Sequence, residues 1–337
     1  MKRALVIGGT GFLGLALVDA LIEAGVEVTV TRRKHSITLF AGRRRVAWRE
    51  ADLDQRESLT EAMDGFDHVF LTGGHYPRYS NQRDASIERG VAQIRAASEA
   101  ARSVGARLVY TSSIATLEGR ADGTPSSEAD VPREMPKESV YRAVKWSMER
   151  ELERQQELGL DAVTLLPGGC LGPGDARLGT GGLLVGTVRG MLPWMIDGRV
   201  HVVDVRDVAQ AQLHAATSAP RGARYVLSGH PRQLSGLLSE VAERFGGQPP
   251  VERLDADAAR RRADDEERDA EPQRARVPMP RELVDIIAWG IPLSSARAEA
   301  ELGFAPRPLS ETLDDAYAWF RRMKYVPGDG QEESRRT

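Results

Sequence analysis

The chain has 337 residues, of which 41% are hydrophobic and 28% are charged, and its formal net charge is −3. This composition excludes a disordered or fibrous protein, allows one large core or one domain with a smaller lobe, and gives no reason to expect nucleic acid or an acidic membrane as a partner. The single cysteine, Cys170, excludes an internal disulfide and a zinc site built of thiolates, and is typical of a reducing cytoplasm.

The first predicted element is a strand that runs into a glycine-rich turn. Residues 5–7 are apolar, and residues 15–21 after the turn have the composition of a helix. One glycine of the turn allows the bend, one lets the backbone approach a pyrophosphate, and one lets helix and strand pack closely. The anion would bind free N–H groups at the helix N-terminus, whereas the alternative is an ordinary turn. The predicted cofactor contacts are Gly8, Thr10, Gly11, Phe12, Leu13 and Gly14.

The second predicted strand, residues 26–30, completes a βαβ unit of the size expected for dinucleotide binding. It leads into Arg32 and Arg33, where an NAD site usually carries an acidic residue that accepts from the ribose 2′-hydroxyl. A guanidinium pairs instead with a 2′-phosphate, so these residues favour NADP. The alternative is that they solvate a loop of an arginine-rich protein, which leaves NAD open as the cofactor.

The third predicted strand, residues 45–48, leads to Asp52 and Leu53. Asp52 would accept a hydrogen bond from the adenine amine, and Leu53 would cover the face of the ring. The alternative is that Asp54 caps a helix and that its neighbours are solvated.

The fourth predicted strand, residues 66–71, ends at Thr72 and Gly73. Small residues here would let a cofactor pass close to the backbone at the carboxyl edge of a parallel sheet. The next residues form a polar loop that would either border the substrate or lie on the surface. Its candidates are His75, Tyr76, Arg78 and Tyr79.

A predicted helix over 86–104 and a fifth strand over 107–110 lead to Ser113, whose hydroxyl follows the carboxyl end of a strand, where a doubly wound sheet binds ligand. After a polar loop, a long helix begins near residue 140 with Tyr141 and Lys145 in its first turns. Residues four apart share a helix face, so the ammonium would lie near the phenol and favour its ionised form. This pattern is typical of a proton donor, and the alternative is a surface pair.

A sixth predicted strand, 161–166, ends at Pro167, which we predict to contact the cofactor. The predicted organisation is a cofactor domain over 1–167 to which 200–228 returns, a substrate lobe formed by 168–199 and 229–325, and a flexible tail over 326–337. The segment 254–276 is almost entirely Asp, Glu, Arg and Ala. It fits either an exposed helix held by charge pairs or a mobile segment.

The N-terminus enters a predicted strand without the hydrophobic region of a signal peptide, and no apolar run reaches the roughly 18 residues of a membrane span. With the single cysteine, this predicts a cytoplasmic protein without a membrane partner.

These motifs resemble, in order and spacing, the extended short-chain dehydrogenase/reductase superfamily, which includes NAD-dependent epimerases and dehydratases. The turn at 8–14 is similar to its cofactor fingerprint, the segment 111–113 to its serine strand, and Tyr141 with Lys145 to its catalytic pair. Further similarities lie at 166–174, 203–209 and 301–306. The arginine after the second strand and the sequence Thr-Ser-Ser-Ile resemble the dihydroflavonol reductase and hydroxysteroid dehydrogenase-like branch.

Three features depart from patterns of the superfamily. Ile114 and Ala115 follow Ser113 where sugar-nucleotide 4,6-dehydratases carry Asp-Glu, so that subgroup is less similar. Gly73 and Gly74 stand where Ala-Ala is usual. The helix that follows has no clear equivalent of an Asn that is often present there in the superfamily. The resemblance therefore does not specify the details of the nicotinamide pocket.

The resemblance implies an α/β fold, a Rossmann-type doubly wound parallel sheet with a smaller interleaved C-terminal lobe. It implies an NADP(H)-dependent reductase for a carbonyl or secondary alcohol of a small metabolite. Tyr141 would donate the proton, Lys145 would lower its pKa and hold the nicotinamide ribose, and Ser113 would bind the carbonyl oxygen. The alternatives are a sugar-nucleotide epimerase with resident NAD and a redox-inactive NADP sensor. Similar proteins commonly form homodimers through the helices at 86–104 and 140–158.

Overall fold

The computed structural model describes residues 1–34, 44–77, 80–273 and 275–327. The chain divides into two compact units. Unit 1 contains 1–168, 205–228 and 292–305, and unit 2 contains the described parts of 169–204, 229–291 and 306–337. Arg78 and Tyr79 of the predicted loop, and 328–337 of the predicted tail, lie outside the described residues.

Strands and helices alternate through most of the chain. The strands are β1 (Arg3–Ile7), β2 (Glu27–Arg32), β3 (Ala47–Glu50), β4 (His68–Leu71), β5 (Arg107–Thr111), β6 (Ala162–Pro167), β7 (Gly169–Leu171), β8 (Met195–Ile196), β9 (Arg199–Asp204), β10 (Arg224–Leu227), β11 (His230–Gln233) and β12 (Arg253–Leu254). The α-helices are α1 (Phe12–Glu23), α2 (Arg56–Met63), α3 (Arg83–Val104), α4 (Val140–Glu157), α5 (Gly181–Val188), α6 (Val205–Ser218), α7 (Leu234–Phe245), α8 (Ala256–Ala270), α9 (Arg281–Trp289), α10 (Ala296–Leu302) and α11 (Leu309–Arg322).

Unit 1 is built on a seven-stranded sheet in the order β10-β6-β5-β4-β1-β2-β3. All of its neighbouring strands pair in parallel, which confirms the predicted α/β doubly wound fold. The strand order reverses between β1 and β4, whose residues Leu5 and Val69 are paired. Open parallel sheets bind ligands at the carboxyl ends of the strands beside such a reversal. The glycine-rich turn after β1 and the Thr72-Gly73 segment after β4 both lie there.

The apolar sequence of the strands explains why they are central. Parallel strands covered on both faces read as continuous apolar runs, and Leu5, Val6 and Ile7 of β1 are all buried. Helices α2, α3 and α4 pack together on the sheet around a core that includes Leu59, Ile94 and Val144, among others. Helices α1 and α6 pack on each other.

The segment 292–305 belongs to unit 1 although it lies more than sixty residues beyond β10 in the sequence. Its helix α10 contacts α6 and β10. The Glu301 carboxylate accepts a 2.6 Å hydrogen bond from the Tyr225 hydroxyl on β10, and the Ser228 amide donates to the Ser295 hydroxyl at 3.0 Å. These contacts tie a late segment of the chain to the edge of the main sheet.

Unit 2 contains a three-stranded sheet in the order β11-β9-β7 and a parallel pair of β12 and β8. Within the charged segment 254–276, residues Ala256–Ala270 form α8, which is the helix of the two predicted alternatives. Ion pairs hold this helix to α9, with Asp264 bonded to Arg281 and Arg260 bonded to the buried Asp285. Arg281 also bonds to Asp285 within α9. None of the helices in the described part of the chain combines the length and apolar character needed to cross a membrane.

Candidate active site

The glycine-rich turn joins β1 to α1, and two of its glycines have no room for a side chain. Gly8 has φ of +89°, and a Cβ there would lie 2.7 Å from Gly73 Cα. A Cβ on Gly14 would lie 2.6 Å from Gly9 Cα. A larger residue at Gly8 would therefore move backbone at the contact between the ends of β1 and β4, and one at Gly14 would move backbone within the turn itself.

The same turn leaves backbone donors at the N-terminus of α1. Gly11, which has no side chain to offer, is the N-cap residue, and the helix begins at Phe12. Phe12, Leu13 and Gly14 carry no charge, and amides in the first turn of a helix have no intrahelical acceptor. Such a terminus binds anions such as a pyrophosphate. Thr10 lies half-buried in the turn, so all six predicted residues surround one helix N-terminus.

The two predicted arginines lie at the carboxyl end of β2. Arg32 ends the strand with an exposed side chain, and its guanidinium carbon is 5.5 Å from the centroid of the Trp48 ring on β3. Arg33 is also exposed. Its charge adds to the hydrogen bond from Arg89 that lowers the pKa of Asp54. Both cations thus stand at the end of the strand next to β1, where a dinucleotide would place its adenosine ribose.

The structure brings Leu53 to the glycine turn, whereas two other predicted side chains, Asp52 and Thr72, bond the backbone of the chain itself. A Cβ on Gly73 would lie 3.3 Å from Gly8 Cα and 3.7 Å from Leu53 Cδ1, so these three residues meet. The Asp52 carboxylate accepts from the Asp54 amide at 3.1 Å. The Thr72 hydroxyl donates to the Ile7 carbonyl at 3.1 Å, so this side chain joins β4 to β1. The N-cap residue of α2 is Gln55, which is one residue after Asp54, the cap residue of the alternative prediction.

Ser113 lies just beyond β5, where the chain makes a short 3₁₀ turn over Ile114–Thr116. Its hydroxyl oxygen accepts from the Ala115 amide at 3.2 Å, and the residue is buried. This bond uses an acceptor lone pair of the hydroxyl, so its proton stays available for another oxygen.

Tyr141 and Lys145 lie one turn apart near the start of α4, as their spacing predicts. Ser139 is the N-cap of this helix, and its hydroxyl accepts from the Arg142 amide at 3.1 Å. The Lys145 ammonium lies 5.6 Å from the centroid of the buried Tyr110 ring. Burial lowers the pKa of Lys145 to about 8, and the negative charge of Glu149 opposes that shift.

Arg142 connects the start of α4 to the turn that follows Ser113. Its buried guanidinium donates from Nε to the Ala115 carbonyl at 3.0 Å and from Nη2 to the Leu117 carbonyl at 2.9 Å. These bonds fix the position of Tyr141 relative to Ser113. This role could not be predicted from the sequence, because one arginine among 41 in the chain carries no distinguishing pattern.

Tyr76 from the predicted polar loop lies beside the candidate proton donor. The centroids of the Tyr76 and Tyr141 rings are 4.9 Å apart at an interplanar angle of 44°, and 63% of Tyr76 is exposed. Pro167 is buried at the carboxyl end of β6, where the following Gly168 amide donates to the Leu227 carbonyl. Every residue that the sequence predicted for the site belongs to unit 1.

Unit 1 therefore offers two kinds of chemistry along one edge of its sheet. The turn after β1 presents backbone donors, and the segment beyond β2 presents cations. Both suit a phosphorylated nucleotide. The start of α4 presents a phenol, an ammonium and a nearby serine hydroxyl, which suit proton transfer to an oxygen. Among the described residues, no group of three His, Cys, Asp or Glu side chains is arranged to hold a metal ion.

Comparison with known proteins agrees with this arrangement. A family model described as the NAD dependent epimerase/dehydratase family matches residues 4–228. A protein from Synechocystis sp. with the provisional name dihydroflavonol 4-reductase is 29% identical over 330 residues, which are 95% of this chain and 95% of that protein. A 4-hydroxy-2-methyl-3-oxo-4-farnesyl-3,4-dihydroquinoline-1-oxide ketoreductase from Stigmatella aurantiaca is also 29% identical, over 90% of this chain and 92% of its own.

Among solved structures, a nucleoside-diphosphate-sugar epimerase from Pseudomonas aeruginosa is similar to the whole chain. The two proteins are 25% identical with a TM-score of 0.81, over 97% of this chain and 99% of the epimerase. The similarity extends beyond the cofactor-binding sheet into the segments that form unit 2.

Proposed function

The chain belongs to the NAD dependent epimerase/dehydratase family as an NAD(P)-dependent oxidoreductase of the extended short-chain dehydrogenase/reductase type, and we propose that it is an NADP(H)-dependent reductase. Its substrate would be a carbonyl, or the corresponding secondary alcohol, of a small metabolite. The observation that carries the proposal is the placement of Tyr141 and Lys145 one turn apart on α4, clamped by Arg142 to the turn beside Ser113.

The nicotinamide supplies the hydride. The residues of this chain bind and orient the cofactor and the substrate, and they supply the proton. Tyr141 donates its phenolic proton to the oxygen of the carbonyl as negative charge develops there. Ser113 donates a hydrogen bond to the same oxygen. Lys145 stabilises the resulting phenolate with its charge and holds the nicotinamide ribose. Because the ammonium has a pKa of about 8, this support weakens as the pH rises through that value.

The preference for NADP rests on the cations that follow β2. Arg32 and Arg33 stand where an NAD enzyme would usually place an acidic side chain, and a guanidinium can pair with two oxygens of a 2′-phosphate. Hydrogen bonds to charged groups are worth ~1.5–3 kcal/mol, which corresponds to a preference of roughly ten- to a hundredfold. The residues proposed to hold the rest of the cofactor are those of the glycine turn, with Asp52, Leu53, Thr72, Gly73 and Pro167.

A sugar-nucleotide epimerase with resident NAD is the second candidate, and the likeness to the Pseudomonas epimerase favours it. Such an enzyme uses the same three side chains but oxidises and re-reduces one substrate, and it needs cations for the diphosphate. Arg199, at the start of β9, lies one position from where similar enzymes carry such an arginine. A redox-inactive sensor has no need of Ser113, Tyr141 and Lys145, so it is the third candidate.

The deciding experiment is a fluorescence titration of the purified protein with NADPH and with NADH, after a check for nucleotide that copurifies. We expect an empty protein that binds NADPH at least about tenfold more tightly than NADH. If the purified protein already carries tightly held NAD from the cell, the epimerase becomes the favoured function in place of the reductase. Oxidation of NADPH with a panel of ketones then tests the reaction itself, and binding without any turnover would favour the sensor.

A further inference from the structure

Glu149 is a buried carboxylate that the proposed reaction does not use. It lies on α4 one turn beyond Lys145, and only 2% of it is exposed. One carboxylate oxygen accepts a hydrogen bond from the hydroxyl of Ser112, the residue directly before Ser113. The other oxygen lies 2.6 Å from Nη2 of Arg224 on β10. Burying a charge is costly unless it is paired and hydrogen-bonded, and here Ser112, just beyond β5, and Arg224 on β10 supply the partners.

The partners of Glu149 are themselves held in place. The Arg224 guanidinium also donates to the Glu128 carbonyl and lies 3.4 Å from the Thr116 hydroxyl, in the 3₁₀ turn that follows Ser113. Glu149 thereby joins α4, the end of β5 and β10. A shift of this carboxylate would change the position of Ser112 and, with it, of the next residue in the chain.

The charged and titratable groups around Glu149 show which of them it influences. Lys145 faces it from the preceding turn of α4, Tyr110 from β5, Arg224 from β10 and Glu153 from the following turn of α4. Tyr110 is fully buried, and burial raises its pKa well above 10, so it stays neutral. Glu149 is the charged group whose interaction raises the pKa of Lys145 against the effect of burial.

From this geometry we infer that Glu149 is a positioning residue of the active site, which places its negative charge one helical turn from the Lys145 ammonium and holds the strand end that carries Ser113. The inference rests on the proposed function, since it assigns Glu149 a task in that reaction. A purely structural ion pair with Arg224 is the opposing interpretation. The two differ in what a neutral isostere does to Lys145, because a structural pair affects stability and leaves the titration of the ammonium unchanged.

The titration of Lys145 can be measured without turnover. The chain has five lysines, and the other four, Lys2, Lys34, Lys137 and Lys324, are exposed and serve as internal references. Trace acetylation of the full-length protein with acetic anhydride, followed across pH by mass spectrometry, reports the neutral fraction of each amine. We expect a midpoint near 8 for Lys145 in the parent protein.

The test variant is Glu149→Gln, which keeps the shape and an acceptor for Ser112 but removes the charge. We expect the Lys145 midpoint to fall by about one unit, which raises its labelling at pH 7 by about fivefold, with the four reference lysines unchanged. Glu151→Gln is the matched control, because Glu151 is equally a buried, ion-paired residue of α4 but contacts Arg95 and Arg154. It is expected to leave the Lys145 midpoint unchanged.

A folded Glu149→Gln protein with an unchanged Lys145 midpoint would overturn the inference. If that variant does not fold, Glu149→Gln combined with Arg224→Met removes the charges of both members of the buried ion pair, and an unchanged Lys145 midpoint in that protein overturns the inference equally. A fall in both Glu149→Gln and Glu151→Gln would also overturn it, since the effect would then not be specific to Glu149. Failure of the proposed function would show separately, as absence of NADPH binding and of ketone reduction in the parent protein.

Discussion

The two ends of the candidate site in unit 1 are built in different ways. At the glycine turn, backbone performs the work, and the constraint on each residue is the absence of a side chain, as at Gly8 and Gly14. At the start of α4, side chains supply the chemistry. Arg142 and Glu149 hold this part of the helix in place with buried hydrogen bonds and an ion pair. Backbone binding tolerates no added atom, whereas side-chain chemistry depends on networks in which single members can be exchanged and measured.

The largest effect is expected for Tyr141→Phe, which removes the proton donor and keeps the ring that contacts Tyr76. General acid catalysis contributes ~10²–10⁴-fold, so kcat for ketone reduction should fall by about that factor. The affinity for NADPH should stay within about twofold, because the glycine turn and the arginines beyond β2 are untouched. Steady-state kinetics and a fluorescence titration check both parts, and a variant with unchanged kcat would remove Tyr141 from the mechanism.

The next effect tests the backbone end through Gly14→Ala. A Cβ at this position would lie 2.6 Å from Gly9 Cα, so the turn must shift and its amides lose their alignment. We expect NADPH binding to weaken by at least about tenfold, together with a lower melting temperature. Gly236→Ala on α7 is the matched control, because no atom lies within 4 Å of an added Cβ there. Equal NADPH affinity in the two variants would contradict a phosphate-binding role for the turn.

A smaller effect is expected when the cations beyond β2 are removed in the double variant Arg32→Ala and Arg33→Ala. The preference for NADPH over NADH should fall by roughly tenfold or more, since the 2′-phosphate loses a charged partner of ~1.5–3 kcal/mol. NADH affinity should change little, because that cofactor has no 2′-phosphate. Arg102→Ala, in the last turn of α3, provides a control for the loss of exposed charge. A preference that survives in the double variant would assign the 2′-phosphate to other residues.

The difference between the two ends also explains what the sequence could predict. Glycine spacing after a strand, and Tyr and Lys four residues apart, are local patterns. The doubly wound sheet and the placement of Tyr141 and Lys145 one turn apart on α4 could therefore be predicted. The roles of Arg142 and Glu149 depend on β5, its following turn and β10, up to 75 residues away. No periodicity marks such partners. For the same reason, the sequence does not predict that 292–305 belongs to unit 1 or that the Thr72 hydroxyl donates to the Ile7 carbonyl.

The smallest effect concerns Tyr76, an exposed residue of the loop after β4 whose ring contacts that of Tyr141. If this ring borders the bound substrate, Tyr76→Ala removes an aromatic contact worth ~0.5–1.5 kcal/mol. The KM for the ketone should then rise by about two- to tenfold, with a smaller change in kcat, and Tyr76→Phe should behave as the parent enzyme. A fall in kcat without a change in KM would show instead that Tyr76 orients the Tyr141 phenol. Unchanged kinetics in Tyr76→Ala would leave the loop as surface, the other interpretation of its sequence.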